Sequence, residues 1–583
     1  MVDEQLLLDR IKNQILSPAP QAYCHDPGLM PYDIYKAAGG LKGSLGRLDR
    51  PERIAIIGSG VTGLTIAALC TQIGAGQIDL FEAKSKVGGR LDCAIEEGGQ
   101  VWYPNGAMRI GPSSALTLGT MREFACGMRP NFPDPGKFMT GCDHKGRVYD
   151  WMPGEPVPEV YAKVNAAFEA YVNEDVMKDG QVVFTAPNNI RRLLCSSKLD
   201  ERLKAVPMIQ RFVDEFANKD FYEVLKIIFS ERGGFASPGG LSLSAEDIRM
   251  MASAGIGTGP FDAIFQKSGL LLSSILTNGH EDQQGSFVVL KGSRAIDAPI
   301  SIFGDRLAAY VEDCGVDLYT STVVHTMERV ESSKDQHKLF WRRADGSEHS
   351  GVYDTVFVCT PCHTMLNYIE GLPDLLGPQT VADLSRVRPI ASTKVFATIK
   401  NLFHEFPNFY YCVTSDEEFQ QMYLMETADP DRLAVLLSYS WGGDALRLDS
   451  HGDDEQLGSA VLAQVRRVIG RSTYPGAAKY FEDDQVQNLK VKRWHPEHDI
   501  EGAFGLERPG DGASRHRLVH HPLNVTNNLY IAGADLSHDA GWVEPAIISG
   551  YMAVISKLRQ GGKVKEEVDR VAVFDQNLIN FRE

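Results

Sequence analysis

The stretch RIAIIGSGVTGLTIAALC, Arg53–Cys70, decides the fold of this protein. Its apolar start predicts a buried strand, and the apolar residues after the GSGVTG turn predict a helix. In a G-x-G-x-x-G turn the first glycine permits the bend, the second lets the backbone approach a pyrophosphate, and the third lets the helix pack on the strand. The helix N-terminus then offers N–H groups to the phosphates. The residues that this turn offers to a dinucleotide are Gly58, Gly60, Thr62 and Gly63.

An acid in the expected position follows a second strand. QIDLFEA, Gln77–Ala83, reads as that strand, and Glu82 stands at its end. It comes about 20 residues after the glycine turn, where a carboxylate accepts hydrogen bonds from an adenosine ribose. A lone glycine turn is weak evidence, but the strand, the helix and this acid together favour dinucleotide binding.

Composition narrows the classes of partner. The 583 residues are 43% hydrophobic and 23% charged, with a formal net charge of −17. That length predicts roughly two to four packed units. An acidic chain without a basic cluster has no general attraction for nucleic acid or anionic membranes, so we expect neither partner.

The chain also lacks the usual sequence signals of export. No apolar run approaches the roughly 18 to 20 residues of a membrane helix. The N-terminus, MVDEQLLLDRIKNQ, alternates charge with leucine and has no signal-peptide core. The ten cysteines are scattered, which fits a reducing compartment, and we expect a cytoplasmic protein.

Two short patterns invite other functions. Cys359 and Cys362 form a C-T-P-C sequence, but they close a strand rather than open a helix, which disfavours a redox role. His495 and His498 in WHPEH could be metal ligands, but the proline between them breaks the helix that would pair them. We therefore expect no metal site.

Beyond the turn, further motifs occur in a fixed order. The pair Gly88-Gly89 with Arg90 follows the ribose acid directly. The later motifs are GAMRI (106–110), GIGTGPFDAIFQ (255–266), STKVF (392–396), LLSYSWGGDA (436–445), EGAF (501–504) and LYIAGADLSHDAGWVEPA (529–546). From about residue 50 to 560 the chain resembles the flavin-dependent amine oxidase superfamily, and within it the tryptophan 2-monooxygenases and bacterial L-amino acid oxidases/monooxygenases.

The resemblance and the pattern of strands and helices imply an α/β fold. We expect a discontinuous Rossmann-type FAD-binding domain, a mixed-sheet substrate domain and an inserted helical lobe. The expected limits are 1–50 for an N-terminal arm, 51–112, 284–365 and 522–560 for the FAD-binding domain, 113–154 and 366–521 for the substrate domain, 155–250 for the lobe, and 561–583 for a C-terminal tail. Relatives are often dimers, so a homodimer is left open.

The resemblance gives Arg109 a specific partner. An arginine needs water or an anion, and in relatives the arginine of GAMR binds the substrate α-carboxylate, which suits a planar fork. The residues alone leave a structural bridge to an internal Asp or Glu equally open. We expect the guanidinium to have no internal acid partner, and such a partner would end the case that Arg109 makes for an amino-acid substrate.

Further side chains follow from the same resemblance. Tyr439 would give the carboxylate a second hydrogen bond, and Trp441, on the same side of that strand, would line the pocket. Trp542 would lie beside the substrate amine. Lys394 would hold a water near the flavin, since a lysine in a strand of Val and Phe needs a polar cavity. Core packing, or a surface position for the lysine, is the alternative for each.

The resemblance also implies the remaining contacts. The expected cofactor-binding residues beyond the glycine turn and Glu82 are Gly89, Arg90, Ala107, Met108, Arg109, Val324, Asp535, Trp542 and Val543. The start of the GWVEP helix would aim its N–H groups at the flavin. Pro545 stands where relatives have glycine, and we expect the helix to survive, since proline suits a first turn. Phe261 and Ile264 would line the side-chain pocket, which favours an aromatic or large apolar substrate, although Asp262 keeps a basic one open.

The implied reaction is oxidation of an L-amino acid by FAD and then O2. Release of the imino acid gives keto acid, ammonia and H2O2, whereas its retention gives an amide by oxidative decarboxylation. Two alternatives remain. One is an amine or polyamine oxidase whose substrate has no carboxylate. The other is a catalytically silent carrier protein on the same fold.

Overall fold

The computed structural model shows a mixed α/β protein. It describes residues 22, 26–96, 101–111, 114–129, 132–229, 234–254, 289–291, 299–427, 429–495, 502–538 and 541–581. Within those ranges, no helix has both the length and the hydropathy needed to cross a membrane.

A five-stranded parallel sheet organises the first half of the fold. Its strands in spatial order are Asp317–Tyr319, Gln77–Phe81, Arg53–Ile57, Thr355–Val358 and Leu529–Ile531. These strands come from three separate parts of the chain. Outside the edge strand Asp317–Tyr319, nearly all their residues are buried, as expected for a parallel sheet covered on both faces.

Each face of this sheet packs against a different hydrophobic core. Ile54 and Ile56 point into a core shared with the helices Val61–Gln72, Ser301–Asp313 and Glu544–Gly561. Ala55 and Ile57 point into a second core. That core lies against an antiparallel sheet of three strands, Thr322–Arg329, His337–Arg343 and Glu348–Tyr353. The alternation follows from the two-residue period of a strand.

A seven-stranded mixed sheet forms the second half. Its order is Gln487–Arg493, Ser392–Lys400, Arg432–Trp441, Gln421–Glu426, Cys412–Thr414, Thr140–His144 and Arg147–Trp151. The pair Cys412–Thr414 and Thr140–His144 is parallel, and the other pairs are antiparallel. Helix Asp454–Gly470 packs in a core with this sheet.

Residues 159–254 are largely helical. The α-helices are Ala162–Asn173, Pro187–Leu194, Leu199–Leu203, Val206–Phe216, Phe221–Ile228 and Ala245–Ala254. The helical lobe predicted over residues 155–250 also contains a hairpin, in which Val176–Lys178 pairs with Gln181–Phe184. Asp179 and Gly180 both have positive φ, 51° and 77°, as a tight Asp-Gly hairpin turn requires.

The two ends of the chain pack on each other. Strand Gly46–Leu48 pairs with Gly562–Val564, and Leu29 forms a bridge with Ala572. Residues 1–50 and 561–583 are predicted as a separate arm and tail, and no local signal in the sequence indicates that they pair. The domain limits stated above stay predictions.

Candidate active site

The glycine turn has the geometry that a phosphate cradle needs. Gly58 adopts φ of 100°, and Gly60 precedes helix Val61–Gln72. A Cβ on Gly63 would lie 1.9 Å from the Gly58 carbonyl oxygen, so only glycine permits this helix–strand contact. A Cβ on Gly60 would meet nothing within 4 Å. The backbone at the helix N-terminus therefore faces open space, as an anion site requires.

Glu82 is held by the same turn. One carboxylate oxygen accepts hydrogen bonds from Ser59 N at 2.9 Å and Ser59 Oγ at 2.7 Å, and the other accepts from Lys84 N at 2.9 Å. The acid is thus fixed at the end of its strand. Thr322 N donates to the Glu82 carbonyl oxygen at 2.8 Å, which brings Val324, buried two residues later, to the same edge.

The second glycine pair packs against the first. Gly88 forms a parallel bridge with Gly60, and both Gly88 and Gly89 have positive φ. Arg90 Nη1 donates to Asp535 Oδ1 at 2.8 Å. Burial would raise the pKa of Asp535, but the Arg90 guanidinium holds it below its ordinary value. Two residues expected at the cofactor therefore contact each other.

Thr62 is placed differently from a direct phosphate ligand. Its hydroxyl donates to the Ala546 carbonyl oxygen at 3.0 Å, in the buried contact between two helices. This bond ties the helix after the glycine turn to the helix that begins near Trp542. Its role in cofactor binding stays a prediction.

The GAMR segment runs beside the second glycine pair. Ala107 N donates to the Arg90 carbonyl oxygen at 3.0 Å. A Cβ on Gly106 would lie 1.9 Å from that same oxygen, so the close approach needs glycine. Met108, two residues on, is buried. The motif is therefore held against the sheet edge that carries the cradle.

Arg109 has an internal acid partner, so the expectation that it lacks one was wrong. Its Nη1 donates to Asp134 Oδ1 at 3.0 Å, and the guanidinium carbon lies 5.0 Å from the centre of the Phe132 ring. The arginine side chain is 10% exposed and the aspartate 0%. An uncompensated charge at that depth is costly, which explains the pair. Asp134 lies in NFPDPGK, residues 131–137, which carries no motif that predicts this pair.

Asp134 also faces a second cation. Lys137 Nζ lies 3.4 Å from Asp134 Oδ2, so each carboxylate oxygen faces a different base. The Asp134 carboxylate is therefore shared between Arg109 and Lys137.

Lys394 is buried and donates to the backbone of the same segment. Its Nζ lies 2.9 Å from the Pro104 carbonyl oxygen and 2.6 Å from that of Gly106. Burial, with the nearby charge of Arg109, lowers the pKa of Lys394 from 10.5 to about 7. The polar surroundings expected for this lysine exist, and carbonyl oxygens supply them. The bound water stays a prediction.

Aromatic rings stand next to these bases. Lys394 Nζ lies 4.6 Å from the centre of the Tyr439 ring. Tyr439 and Trp441 meet edge to face at 5.0 Å, which confirms that they share one side of the strand. Burial raises the pKa of Tyr439, although Arg109 opposes the rise, so the phenol keeps its proton and can donate at neutral pH.

The aromatic row continues to a residue that the sequence analysis did not assign. Phe504 meets Trp441 edge to face at 5.7 Å. A Cβ on Gly541 would lie 3.5 Å from Phe504 Cδ2, so the loop carrying the half-buried Trp542 adjoins this ring. The EGAF motif was noted only as part of the resemblance. Nothing in a single sequence indicates that Phe504 belongs to this aromatic row.

The GWVEP segment begins a helix, as expected. Helix Glu544–Gly561 has Pro545 in its first turn, and Val543 before it is buried. The Glu544 carboxylate accepts from Leu116 N at 3.0 Å and Thr117 N at 2.6 Å. It therefore caps helix Ala115–Glu123, a function that the sequence analysis missed.

The residues expected at the side-chain pocket, Phe261, Asp262 and Ile264, lie outside the described residues.

The two cysteines of the C-T-P-C sequence have raised pKa values. Burial raises the pKa of the Cys362 thiol to about 12 and raises that of Cys359 as well. The expectation that the C-T-P-C sequence opens no helix was wrong, because Cys362 begins helix Cys362–Asn367. Because the thiolate is the reactive form, the raised pKa values count against redox chemistry there.

The described residues fit a bound dinucleotide. Open space lies at Gly60 and also at Gly533, where a Cβ would again meet nothing within 4 Å. Both glycines follow the carboxyl ends of strands in the parallel sheet, the usual place for a ligand of such a sheet. Arg515, 4% exposed, has a buried Nη1 with no hydrogen-bond partner among the described residues, which an anionic group would satisfy.

The chain is similar to known proteins along most of its length. A family model described as flavin containing amine oxidoreductase matches residues 61–554. Tryptophan 2-monooxygenase from Pseudomonas savastanoi is 26% identical over 528 residues, 88% of this chain and 90% of that protein. The tryptophan 2-monooxygenase of Pantoea agglomerans pv. gypsophilae is 27% identical over 533 residues, with the same shares.

Solved structures share the fold. A putrescine oxidase redesigned in its cofactor binding gives a TM-score of 0.61 at 14% identity, covering 87% of this chain and 99% of that one. At that identity the likeness shows the fold alone. It confirms the predicted mixed α/β architecture of a flavin amine oxidase.

Proposed function

This chain belongs to the flavin-containing amine oxidoreductase family, and from that premise we propose that it oxidises an L-amino acid with an aromatic or large apolar side chain. Its cofactor is FAD, as the sequence predicted. When bound, the flavin accepts a hydride from the substrate and passes the electrons to O2. The chain contributes binding, orientation and exclusion of water.

Three side chains from distant parts of the sequence carry the proposal. Lys394 lies against the Tyr439 ring, and the charge of Arg109 shifts the pKa of both. Under the proposal, Arg109 and the protonated phenol of Tyr439 bind the α-carboxylate with charge-assisted hydrogen bonds. This convergence beside the GAMR segment is the observation on which the proposal rests.

The pair with Asp134 removes the ground on which Arg109 alone favoured an amino-acid substrate, because the arginine already has an internal acid. The proposal therefore rests on the convergence of Lys394 and Tyr439 beside Arg109 and on the names of the relatives. Under it, the substrate carboxylate is a second anion at Arg109, in addition to Asp134.

The aromatic row supports the side-chain preference. Tyr439, Trp441 and Phe504 make successive edge-to-face contacts, and the Trp542 loop adjoins the last of them. Such a surface binds flat or bulky apolar groups well. Under the proposal, Trp542 lies beside the substrate amine.

The fate of the oxidised substrate has two versions within this proposal. The names of the relatives, tryptophan 2-monooxygenases, support oxidative decarboxylation to an amide. Release of the imino acid would instead give a keto acid, ammonia and H2O2. The two differ in how long the pocket retains the imino acid.

A second candidate is an amine oxidase whose substrate has no carboxylate. The specific observation in its favour is the Arg109–Asp134 pair, because a structural bridge of this kind would use the arginine without any substrate. The family match favours either enzyme over a silent carrier protein.

The domain limits, the cellular compartment and the oligomeric state also belong to the proposal. We place the FAD-binding unit in 51–112, 284–365 and 522–560, the substrate unit in 113–154 and 366–521, and the lobe in 155–250. Free cysteines, most of them buried, support a reducing cytoplasm. A homodimer stays a prediction.

A panel of substrates tests the proposal. The flavoprotein is mixed anaerobically with each of the twenty L-amino acids, with tryptamine and with putrescine, and flavin bleaching is recorded. Tryptophan and tryptamine form a matched pair, since they differ only in the carboxylate. We expect aromatic or large apolar amino acids to bleach the flavin and the two amines to fail. Bleaching by amines alone would establish the second candidate. Aerobic product analysis for amide against keto acid then separates the two versions.

A further inference from the structure

Trp441 ends strand Arg432–Trp441 at the candidate active site, and its indole ring is held on two sides. The Tyr439 ring meets it edge to face at 5.0 Å and 86°, and the Phe504 ring does so at 5.7 Å and 88°. The backbone N–H of Trp441 donates to Gln420 Oε1 at 3.0 Å, and the residue is 7% exposed. The indole therefore has a fixed position before any substrate arrives.

The indole N–H of Trp441 is a buried donor that completes no hydrogen bond. Nε1 is closed off from solvent, and no atom of the described residues accepts its proton. An indole can only donate, so this proton needs an acceptor from outside the described residues. A buried donor without a partner is costly, and at a candidate substrate site it favours a ligand that supplies the acceptor.

The same N–H faces the phenol of Tyr439. Burial raises the pKa of Tyr439, and both the Arg109 charge and the Trp441 N–H oppose the rise. The indole N–H therefore lies at the oxygen end of the tyrosine ring, although it does not complete a hydrogen bond there. A guanidinium and an indole only donate, and the phenol keeps its own proton. A group that approaches the Tyr439 hydroxyl thus meets three hydrogen-bond donors.

A carboxylate has the acceptors that these donors need. Its two oxygens offer about four lone-pair sites, so it can accept from Arg109, from Tyr439 and from one further donor. A neutral N–H adds to such a site without repelling the guanidinium, and it leaves the Arg109 pair with Asp134 in place. The ammonium group of a substrate amine offers only donors and would not satisfy the indole.

We infer that the Trp441 indole N–H is a third hydrogen-bond donor to the substrate carboxylate, beside Arg109 and Tyr439. The inference rests on the proposed function and deepens it. The resemblance assigned Trp441 only to the lining of the pocket. Under the inference, the side chain contributes its ring to the aromatic row and its N–H to the carboxylate.

Steady-state kinetics of Trp441→Phe test the inference, because the variant keeps an aromatic ring and removes the N–H. Two constants are measured on flavin-loaded protein, the KM of the best amino acid of the panel and the inhibition constant of its decarboxylated amine. We expect KM to rise about tenfold, with kcat changed by less than about threefold, because a hydrogen bond to a charged group is lost. The inhibition constant of the amine should stay unchanged.

Two further variants show where the N–H acts. Trp341→Phe makes the same substitution at a buried tryptophan of the three-stranded sheet, and it should leave both constants unchanged. In a Tyr439→Phe background, Trp441→Phe should still raise KM by about threefold or more, because the indole donates to the carboxylate itself. Loss of the whole effect in that background would show that Trp441 acts only on the Tyr439 phenol, and it would overturn the inference.

Other results would also overturn the inference. One is an unchanged KM in Trp441→Phe, and another is an equal change in KM and in the inhibition constant, which would make the indole a packing residue only. If Trp441→Phe fails to bind flavin, benzothienylalanine at position 441 decides, because sulfur replaces the N–H while the bicyclic ring stays. It should raise KM equally, and an unchanged KM there overturns the inference. A wild-type protein that oxidises only amines would instead defeat the proposed function before any variant is compared.

Discussion

Lys394 and Tyr439 are direct partners on adjacent antiparallel strands, and the lysine ammonium lies over the tyrosine ring at 4.6 Å from its centre. The ammonium also donates to two carbonyl oxygens of the segment that leads to Arg109. One side chain thus connects the mixed sheet, the aromatic row and the GAMR motif. A substitution of Lys394 should therefore affect substrate binding through the mixed sheet, the aromatic row and the GAMR motif.

Replacement of Lys394 should slow the enzyme and simplify its pH profile. With its pKa at about 7, the lysine is charged below pH 7 and neutral above it. The wild-type profile of kcat/KM should show a step near that pH, and Lys394→Met should lack the step. We expect kcat/KM to fall by about 10- to 100-fold, typical for the loss of a positioned group beside the reaction. Lys400→Met, at the exposed end of the same strand, is the control. A step that persists in Lys394→Met would assign it to another group.

Two alanine substitutions in the glycine turn should separate folding from cofactor binding. A Cβ on Gly60 meets open space, whereas one on Gly63 would lie 1.9 Å from a backbone oxygen. Gly60→Ala should therefore fold normally but bind flavin at least about tenfold more weakly, because the added methyl occupies the phosphate approach. Gly63→Ala should lower the free energy of unfolding by about 2 kcal/mol or more. Flavin absorbance per protein and circular dichroism measure the two effects. Full flavin content in Gly60→Ala would place the cofactor elsewhere.

Removal of the Glu544 charge should loosen a helix rather than block the reaction. The carboxylate accepts from two N–H groups at the start of helix Ala115–Glu123. Glu544→Gln should lower the free energy of unfolding by about 1 kcal/mol, the usual cost of a lost cap. Urea unfolding measures this value. An unchanged unfolding midpoint with a large loss of activity would assign Glu544 to the reaction instead.

A buried histidine cluster should make the fold sensitive to acid. His516 and His520 lie 4.6 Å apart, and His516 and His538 lie 5.8 Å apart, measured between ring centres. Phe581 from the C-terminal end stacks on His538 at 5.6 Å. Burial lowers the pKa of His520 from 6.5 to about 3 and lowers the pKa of His516 and His538 as well. The cluster is therefore neutral in the folded protein near pH 7.

The sign of the effect follows from proton binding. Between pH 6.5 and about 3 the unfolded chain binds a proton at His520 that the folded chain does not, so stability falls as the pH falls. The slope is about 1.4 kcal/mol per pH unit for each such histidine. Asp26, whose pKa burial raises from 3.8 to about 7, acts in the opposite direction between those two values. Asp26→Asn should therefore steepen the loss of stability below pH 6.5, and His520→Gln should flatten it. Urea unfolding from pH 7.5 to 4.5 measures both, and equal slopes in all three proteins would contradict this account.

Local sequence signals predicted the strand, the helix and the second strand around the glycine turn. These elements and Glu82 lie within 30 consecutive residues, 53–82, so their local structure is readable from spacing alone. Their contacts with the cofactor stay predictions. The shared face of Tyr439 and Trp441 followed from the two-residue period of a strand. The survival of the helix at Pro545 followed from the tolerance of a first turn for proline.

Contacts between distant segments were not readable in this way. Arg90 and Asp535 were each expected at the cofactor, but they are 445 positions apart and bind each other. Arg109 was expected without an acid partner, because Asp134 belongs to a segment with no recognisable motif. The hairpin turn at Asp179-Gly180 was not predicted, because the whole of 155–250 was expected to be a helical lobe. A single sequence indicates local geometry, whereas contacts between residues far apart in the chain are seen only in the folded structure.

The central claim is that Arg109 recognises the substrate carboxylate. Its most direct test compares wild type and Arg109→Ala by the KM of an accepted amino acid and by the inhibition constant of the amine that lacks only the carboxylate. The account predicts that KM for the amino acid rises by about 100-fold or more, because a charged two-point contact is lost, while the inhibition constant of the amine stays the same. A similar change for both compounds, or no change for the amino acid, would show that Arg109 serves only its bridge to Asp134.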